Sequence, residues 1–398
     1  MVFHLNKKIL VTVLLFAVFF LIGCDTFIIS PFIPLISKTL NVAAGTSGYL
    51  VTAYSLFYVL VSIFMGPLSD MIGRKKMILV GMAVFALASI ATGLTSVFAI
   101  TLVARALTGA GAAFAAPNVW SYIGDYFSDA ERSKVTAVIA SALSLGMIIG
   151  VPAGSALAQF MSWQQAFYVL GSIAIVVVVL ILAFLPMSGS AVNKQNYFIS
   201  FKKVFLQRNI VFSFLTTFFV AFANFGLYTF LGYWLNKTFK LNTSMSGLFL
   251  IIAGVGNLIG MQLAGVLSNK VGKKKFVSIS TLIMVASLFI LSFSSFNIIL
   301  AGIDVFVWLA AGGASFAIMQ VIVTQLSSSS RGTVMSLNNS FMWAGTASGS
   351  AIVGITINGL TFFVSTLICS VAALSASLII RIFVVETNEI ISNQNDGN

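Results

Sequence analysis

Twelve apolar stretches divide this chain, and they restrict its possible folds more than any other feature. They lie at roughly 9–36, 46–68, 77–95, 97–122, 134–158, 164–187, 209–233, 244–267, 276–294, 297–325, 333–357 and 361–384. About 20 apolar residues in a helix cross the hydrocarbon core of a bilayer. Since lipid cannot satisfy free backbone groups, such stretches must be helices or strands of closed barrels. The sequence therefore predicts an all-α membrane protein with twelve transmembrane helices, with a short turn near Thr95 and Ser96.

The composition excludes a soluble enzyme. Of 398 residues, 59% are hydrophobic and only 8% are charged, whereas soluble domains carry about 25% charged residues. No GxxxxGK[ST] phosphate-binding loop is present, so ATP is not the expected energy source. One histidine and two cysteines are too few for a metal site, and Cys24 and Cys369 both lie within spans. We expect no enzymatic activity, no cofactor, no metal and no disulfide framework.

The basic residues predict the orientation of the chain in the membrane. If the N-terminus is cytoplasmic, the cytoplasmic segments hold 17 of the 21 Lys and Arg residues. The outside holds Lys38, Lys237 and Lys240, and Arg105 lies within a span. This bias follows the positive-inside rule and predicts that both termini are cytoplasmic. The net charge of +12 then indicates contact with anionic lipids and no nucleic-acid partner.

An internal repeat divides the chain into two halves. Residues 66–76 read GPLSDMIGRKK and residues 265–275 read GVLSNKVGKKK, an offset of 199. The same offset relates Arg132 to Arg331. We predict two pseudo-symmetric six-helix bundles, at 1–187 and 209–384, with a cytoplasmic linker at 188–208 and a cytoplasmic tail at 385–398. The linker is either an amphipathic helix at the membrane surface or a plain connection. Transporters built from two such halves bind substrate between them.

Three charged residues lie deep within the apolar spans, away from the span ends. A charge at the centre of a membrane helix costs about 2.5–3.5 kcal/mol on insertion scales, so each needs a partner or a function. At about 1.5 Å per residue, Asp25 and Arg105 lie at similar depths on spans one and four and are expected to pair. Asp304 is related to Arg105 by the repeat offset and has no obvious basic partner, which suits a proton carrier. The alternatives are a structural ion pair that does not titrate and a neutral, hydrogen-bonded Asp304.

The loop after span two resembles the signature loop of the major facilitator superfamily, G-x-L-x-D-x-x-G-R-K/R. Gly66, Asp70, Gly73 and Arg74 match it. The resemblance implies a major facilitator fold and a cytoplasmic latch, in which Asp70 meets the eleventh helix and Arg74 pairs with Asp125. Asn269 replaces the aspartate in the second half, so the latch there is expected to be weaker.

Two further motifs resemble those of the same family. Span four contains Arg105, Gly109 and Gly111 of motif B, whose arginine is linked to proton coupling. Span five contains a motif similar to the antiporter motif G-x-x-x-G-P-x-x-G, with departures at Val151 and Ser155. Its matching residues are Gly146, Gly150, Pro152 and Gly154. The antiporter motif favours export, although generic packing of small residues would give a similar pattern.

Amide and hydroxyl side chains within the spans are the candidates for a substrate cavity. They are Asn118, Asn224, Tyr228, Asn338 and Asn339, and contacts between helices would explain each of them equally well.

The chain as a whole resembles the twelve-helix drug:proton antiporters and the bacterial arabinose or sugar efflux permeases. DTFIISPFIPLI from Asp25 onward and RGTVMSLNNSFMWAGTASGSAIVG at 331–354 carry this likeness. It implies a monomeric, proton-coupled efflux antiporter of small amphipathic compounds or drugs in a bacterial plasma membrane, working by alternating access. The alternatives are efflux, symport or facilitated transport of a sugar or metabolite, and a membrane protein that transports nothing.

Overall fold

The computed structural model describes residues 2–187, 204–326 and 331–385, and every regular element within these ranges is a helix. Twelve helices in the described chain are long and apolar enough to cross a membrane. The predicted fold class is therefore confirmed, as is the turn near Thr95 and Ser96, which separates two helices. Of the predicted linker, 188–203 lies outside the described residues, and so does 386–398 of the predicted tail.

Fourteen α-helices form the twelve spans. They are α1 Val2–Thr39, α2 Ala44–Ser47, α3 Tyr49–Ile72, α4 Arg74–Leu94, α5 Phe98–Tyr126, α6 Asp129–Leu145, α7 Val151–Phe160, α8 Trp163–Phe184, α9 Arg208–Phe239, α10 Thr243–Val271, α11 Lys273–Leu291, α12 Ile298–Gln325, α13 Arg331–Gly359 and α14 Phe362–Phe383. Span two comprises α2 and α3, and span five comprises α6 and α7. Several helices extend beyond the apolar runs, because hydropathy detects only the part of a helix that matches the hydrocarbon core.

Span five contains a π-helical segment that the sequence does not predict. The segment is Gly146–Gly150, and it joins α6 to α7. Pro152 follows in the first turn of α7. A proline has no N–H to donate to the carbonyl four residues earlier, and its ring crowds that carbonyl. A wider π turn just before Pro152 accommodates this loss, and such turns occur frequently at functional sites.

Contacts along the chain define two compact units. Unit 1 comprises Met1–Asn193 with Tyr228–Gly254, and unit 2 comprises Lys194–Leu227 with Val255–Asn398. In unit 1, α5 packs against α3 and α4, and α1 packs against α6, α7 and α8. In unit 2, α11 packs against α12 and α14. The boundaries between the units fall within α9 and α10, whereas the two predicted bundles keep these helices whole. The residue bounds of the predicted bundles remain a prediction.

In unit 1, a serine of α1 bridges one turn of α9. The Ser30 hydroxyl donates to the Tyr228 carbonyl at 2.6 Å and accepts from the Gly232 N–H at 3.1 Å. A Cβ at Gly232 would lie 2.5 Å from the Ser30 carbonyl oxygen and from the Pro31 Cα. The absence of a side chain at Gly232 therefore lets the two backbones meet, and the second part of α9 is held against α1.

The repeat has a structural basis in two equivalent turns. Gly73 links α3 to α4 with φ 98°, and Gly272 links α10 to α11 with φ 91°. These conformations are strained for residues with a side chain. Each glycine allows two antiparallel helices to follow one another without a longer loop, which accounts for a glycine at the same place in both halves.

In unit 2, small residues and hydroxyls join the helices around an apolar core. The core contains Phe214, Met319, Val323, Val334 and Ile380. The Ser278 and Ser377 hydroxyls are 2.9 Å apart across α11 and α14. Gly345 and Gly349 of α13 lie against the backbone of α9 at Phe218 and Phe222. Small residues of this kind let membrane helices approach closely.

Candidate functional site

Asp25 and Arg105 form an ion pair in the interior of unit 1. One terminal nitrogen of Arg105, Nη1, donates to Asp25 Oδ1 at 2.7 Å and to Oδ2 at 2.8 Å. The side chains are 0% and 1% exposed. The depth count from the sequence predicts this pairing, and α1 and α5 bring the two side chains together. Such close, charge-assisted contacts offset part of the cost of burying two charges.

Two aromatic rings lie against the Arg105 guanidinium. Its central carbon is 4.9 Å from the ring centre of Tyr54 and 5.4 Å from that of Phe167. Tyr54 comes from α3 and Phe167 from α8, so four helices enclose the ion pair. Ring faces attract cations at such distances. The buried Nε of Arg105 has no hydrogen-bond partner in the described part of the chain.

The glycines of span five pack against the turn of α1 that carries Asp25. A Cβ at Gly146 would lie 2.7 Å from the Cys24 backbone nitrogen, and a Cβ at Gly150 would overlap the Cys24 sulfur. A Cβ at Gly154 would overlap the Ile28 side chain one turn further along α1. Three of the four residues that match the antiporter motif thus face α1, and the π segment packs against Gly23 and Cys24, which directly precede Asp25.

Asp304 has different surroundings from Asp25. Its carboxylate accepts a hydrogen bond from the Ser294 hydroxyl, ten residues earlier in the chain. The residue is half-buried. Asp304 lies in the second turn of α12, near the N-terminal end of the helix, which follows the Ser294–Phe296 3₁₀ turn. Among the described residues, this carboxylate thus binds a hydroxyl and has no ion-pair partner, in contrast to the enclosed pair at Asp25.

The amide and phenol candidates are distributed over both units. In unit 1, the Asn118 amide donates to the Phe114 carbonyl of its own helix at 2.7 Å. The Tyr228 ring meets Phe27 edge-on, with ring centres 5.4 Å apart. Its buried hydroxyl has no partner among the described residues.

In unit 2, the buried side-chain oxygen of Asn224 has no hydrogen-bond partner among the described residues. The Asn338 side-chain oxygen accepts from the Thr217 hydroxyl at 2.8 Å. The neighbouring Asn339 is half-buried. The cavity assignment of these residues remains a prediction.

The signature loop forms a contact at one end of unit 1. Arg74 Nε donates to Asp125 Oδ2 at 3.3 Å, and Arg74 also donates to the Ser69 hydroxyl. Gly66 and the Asp70 side chain lie outside the described part of the chain. In unit 2, Lys273 donates to the Gln325 amide oxygen at 2.8 Å. The equivalent contact in the second half thus has an uncharged acceptor.

The residues that sequence reasoning misses are the uncharged neighbours of the ion pair and the serine that bridges α1 to α9. Tyr54, Phe167 and Ser30 give no signal in the sequence, because aromatic residues and serines are common in apolar spans. Their importance depends on which face of each helix points at Arg105 or α9. Hydropathy does not encode that rotation.

The fold and the buried charges define a multi-pass membrane protein of the transporter type. The family model of the Major Facilitator Superfamily matches residues 15–261 and 213–397. The chain belongs to the Major Facilitator Superfamily, which points to a transporter rather than an enzyme.

Bacterial relatives and solved structures agree with this family. The chain is 30% identical to the Bacillus subtilis "Uncharacterized MFS-type transporter YceJ", covering 86% of this chain and 87% of the relative. It is 26% identical to the Bacillus subtilis "Multidrug resistance protein 2", covering 88% and 90%. The crystal structure of a D-xylose-proton symporter superimposes with a TM-score of 0.81 at 18% identity, covering 96% of this chain and 99% of that one. This likeness shows the fold.

Proposed function

We propose that this transporter is a proton-coupled efflux antiporter of small amphipathic compounds or drugs. The observation that carries the proposal is the enclosed ion pair between Asp25 and Arg105. A carboxylate that binds one cation in the membrane interior can exchange that partner for a proton. Membrane-embedded carboxylates of this kind serve as proton relays in pumps and transporters.

The proposed mechanism alternates two charge states of the pair. A proton arriving from outside neutralises Asp25 and releases Arg105 from its carboxylate. Release of the proton on the cytoplasmic side restores the ion pair and resets the carrier, while the substrate moves in the opposite direction. We further propose that both termini are cytoplasmic, that Arg74 and Asp125 belong to a cytoplasmic latch, and that the chain works as a monomer among anionic lipids.

The relatives support the drug class of substrate. Two Bacillus subtilis proteins named "Multidrug resistance protein 2" and "Multidrug resistance protein 1" are 26% and 27% identical to the chain. The glycines and Pro152 of the antiporter-like motif favour export over uptake. Asp25 is a stronger candidate for the coupling proton than Asp304, which is half-buried and bonded to Ser294.

The alternative function is transport of a sugar or another hydroxylated metabolite. The buried amides of unit 2 favour it, because Asn224 and Asn338 each keep a side-chain atom without a partner in the described residues. Such atoms suit hydroxyl groups better than apolar drugs. The D-xylose-proton symporter shares the fold, but a shared fold does not specify a substrate.

The first prediction concerns Asp25→Asn in purified protein reconstituted into proteoliposomes. We expect the variant to lose transport driven by a pH gradient, because an amide cannot carry the proton. We expect it to remain folded, since the amide oxygen still accepts from Arg105. The measurement is substrate flux together with the fluorescence of a pH-sensitive dye inside the vesicles.

Two outcomes would decide against the proposal. Unchanged pH-driven flux in Asp25→Asn would remove the proton role of Asp25, and Asp304→Asn tests the other carboxylate in the same assay. Sugar or metabolite flux in the wild type without drug-induced proton movement would favour the alternative function. Wild-type vesicles without a pH gradient are the control for passive leakage.

A further inference from the structure

Arg105 faces three partners, of which only one is an acid. The carboxylate of Asp25 binds Nη1, while the rings of Tyr54 and Phe167 lie 4.9 and 5.4 Å from the guanidinium carbon. The rings come from two different helices. The two rings therefore reach the same buried cation only when the helices of unit 1 are packed together.

The backbone and neighbouring rings fix the positions of both aromatic residues. A Cβ at Gly109, one turn along α5 from Arg105, would overlap the Tyr54 carbonyl, so α3 and α5 touch there. The Phe167 ring meets Trp163 and Phe32 edge-on, with ring centres 5.9 and 6.2 Å apart. Rings braced in this way stay beside the guanidinium while the charge of Asp25 changes.

Protonation of Asp25 leaves Arg105 with its charge but without a carboxylate. Unit 1 has two other acids with described side chains, Asp125 and Glu131, and they bind Arg74 and Lys8. The titratable groups that interact electrostatically with the pair are Cys24 on α1, through Asp25, and Tyr54 on α3, which in turn interacts with Tyr58. The groups that α8 and the π segment place here, including Phe167, Gly146 and Gly150, are uncharged. The two rings are thus the electrostatic partners left to the cation.

We propose that Tyr54 and Phe167 are positioning residues that hold the Arg105 cation when Asp25 is protonated, and so set the proton concentration needed for transport. The inference rests on the proposed function, since it assigns a role to neighbours of the same ion pair. The rings contact the guanidinium beside the carboxylate, and their attraction matters most for holding the cation once the carboxylate is neutral. When the rings attract the cation less, the ion pair is favoured, and a higher proton concentration is required to open it.

The test replaces Phe167 with fluorinated phenylalanines of increasing fluorine content, incorporated at that codon. Fluorine withdraws electron density from the ring face and weakens its attraction for a cation, while the ring keeps its shape. We expect the pH of half-maximal transport in proteoliposomes to fall with each added fluorine. For the most fluorinated ring, half-maximal transport should require a roughly three- to tenfold higher proton concentration than in the wild type. Phe167→Leu should also lower the pH of half-maximal transport, because it removes the ring. Phe167→Trp keeps an aromatic face and should keep the pH of half-maximal transport near the wild-type value.

Fluorination of Phe214 is the matched control, because this residue is also fully buried but belongs to the apolar core of unit 2. An unchanged pH midpoint across the Phe167 series, with Asp25→Asn inactive, would overturn the positioning role and leave the proton site intact. Retained pH-driven transport in Asp25→Asn would overturn the proton site and this inference together. If Phe167→Leu does not fold, the fluorinated series still decides, since it preserves packing.

Discussion

At the scale of single residues, the Asp25–Arg105 pair is the most demanding feature of the molecule. Both side chains are almost completely buried. A buried ion pair contributes little net stability, but removal of one partner leaves an unpaired charge and costs about 3–5 kcal/mol. The ion pair is therefore stable while Asp25 is charged. Protonation of Asp25 removes the attraction that holds the two side chains together.

A double-mutant cycle measures this coupling. We expect Arg105→Gln to lower the melting temperature in detergent clearly, because Asp25 is then buried without its cation, at a cost of about 3–5 kcal/mol. Adding Asp25→Asn to Arg105→Gln should recover part of the loss, since no charge then remains. Thermal unfolding followed by tryptophan fluorescence gives the comparison. Strictly additive losses in the double variant would mean that the two side chains do not interact.

At the scale of helices, the contact between α1 and span five connects the ion pair to the π-helical segment. The π segment Gly146–Gly150 packs against Cys24, the residue before Asp25 in α1. The hydrogen-bond pattern of a π turn is irregular within an α-helical span. A small displacement of the Asp25 turn therefore meets a part of span five that is already distorted by Pro152.

Substitutions at Gly150 test how tight this contact is. We expect Gly150→Ala to destabilise the protein by about 1–3 kcal/mol and to reduce transport, because the new methyl group overlaps the Cys24 sulfur. Cys24→Ala in the same chain should restore part of both. Gly124→Ala is the matched control, since nothing lies within 4 Å of its Cβ position. The idea is wrong if Gly150→Ala and Gly124→Ala have the same melting temperature and transport rate.

At the scale of the whole molecule, the two halves repeat their turns and their close helix contacts. Gly73 and Gly272 have nearly the same backbone conformation. In unit 1 the glycines of span five lie against α1, and in unit 2 the glycines of α13 lie against α9. The halves differ in their charges, because Arg74 pairs with an aspartate whereas Lys273 pairs with a glutamine.

The predicted orientation in the membrane is testable by cysteine labelling. Lys237 and Lys275 are both exposed, and we expect Lys237→Cys outside the cell and Lys275→Cys inside. A membrane-impermeant maleimide should label the first in intact cells and the second only after lysis. The native Cys24 and Cys369 are buried, so the wild-type chain is the control for background. The reverse labelling pattern would invert the orientation.

Hydropathy and repeats predicted the large-scale features of the fold. The twelve spans, the turn near Thr95 and the depth match between Asp25 and Arg105 follow from counting residues along helices of fixed rise. The π segment could not be predicted, because Pro152 permits several local responses. The bridge from Ser30 to α9 could not be predicted either, since it joins residues almost 200 positions apart.

The sequence by itself determined that the chain is a twelve-helix membrane protein with two similar halves and a few buried charges. It did so because lipid imposes local rules on length, polarity and charge. Only the tertiary structure decided that Tyr54 and Phe167 face Arg105, that span five packs against the turn of α1 that carries Asp25, and that Asp304 binds Ser294. Spans that are apolar on all sides carry little record of their rotation, so the neighbours of each side chain depend on how the helices pack.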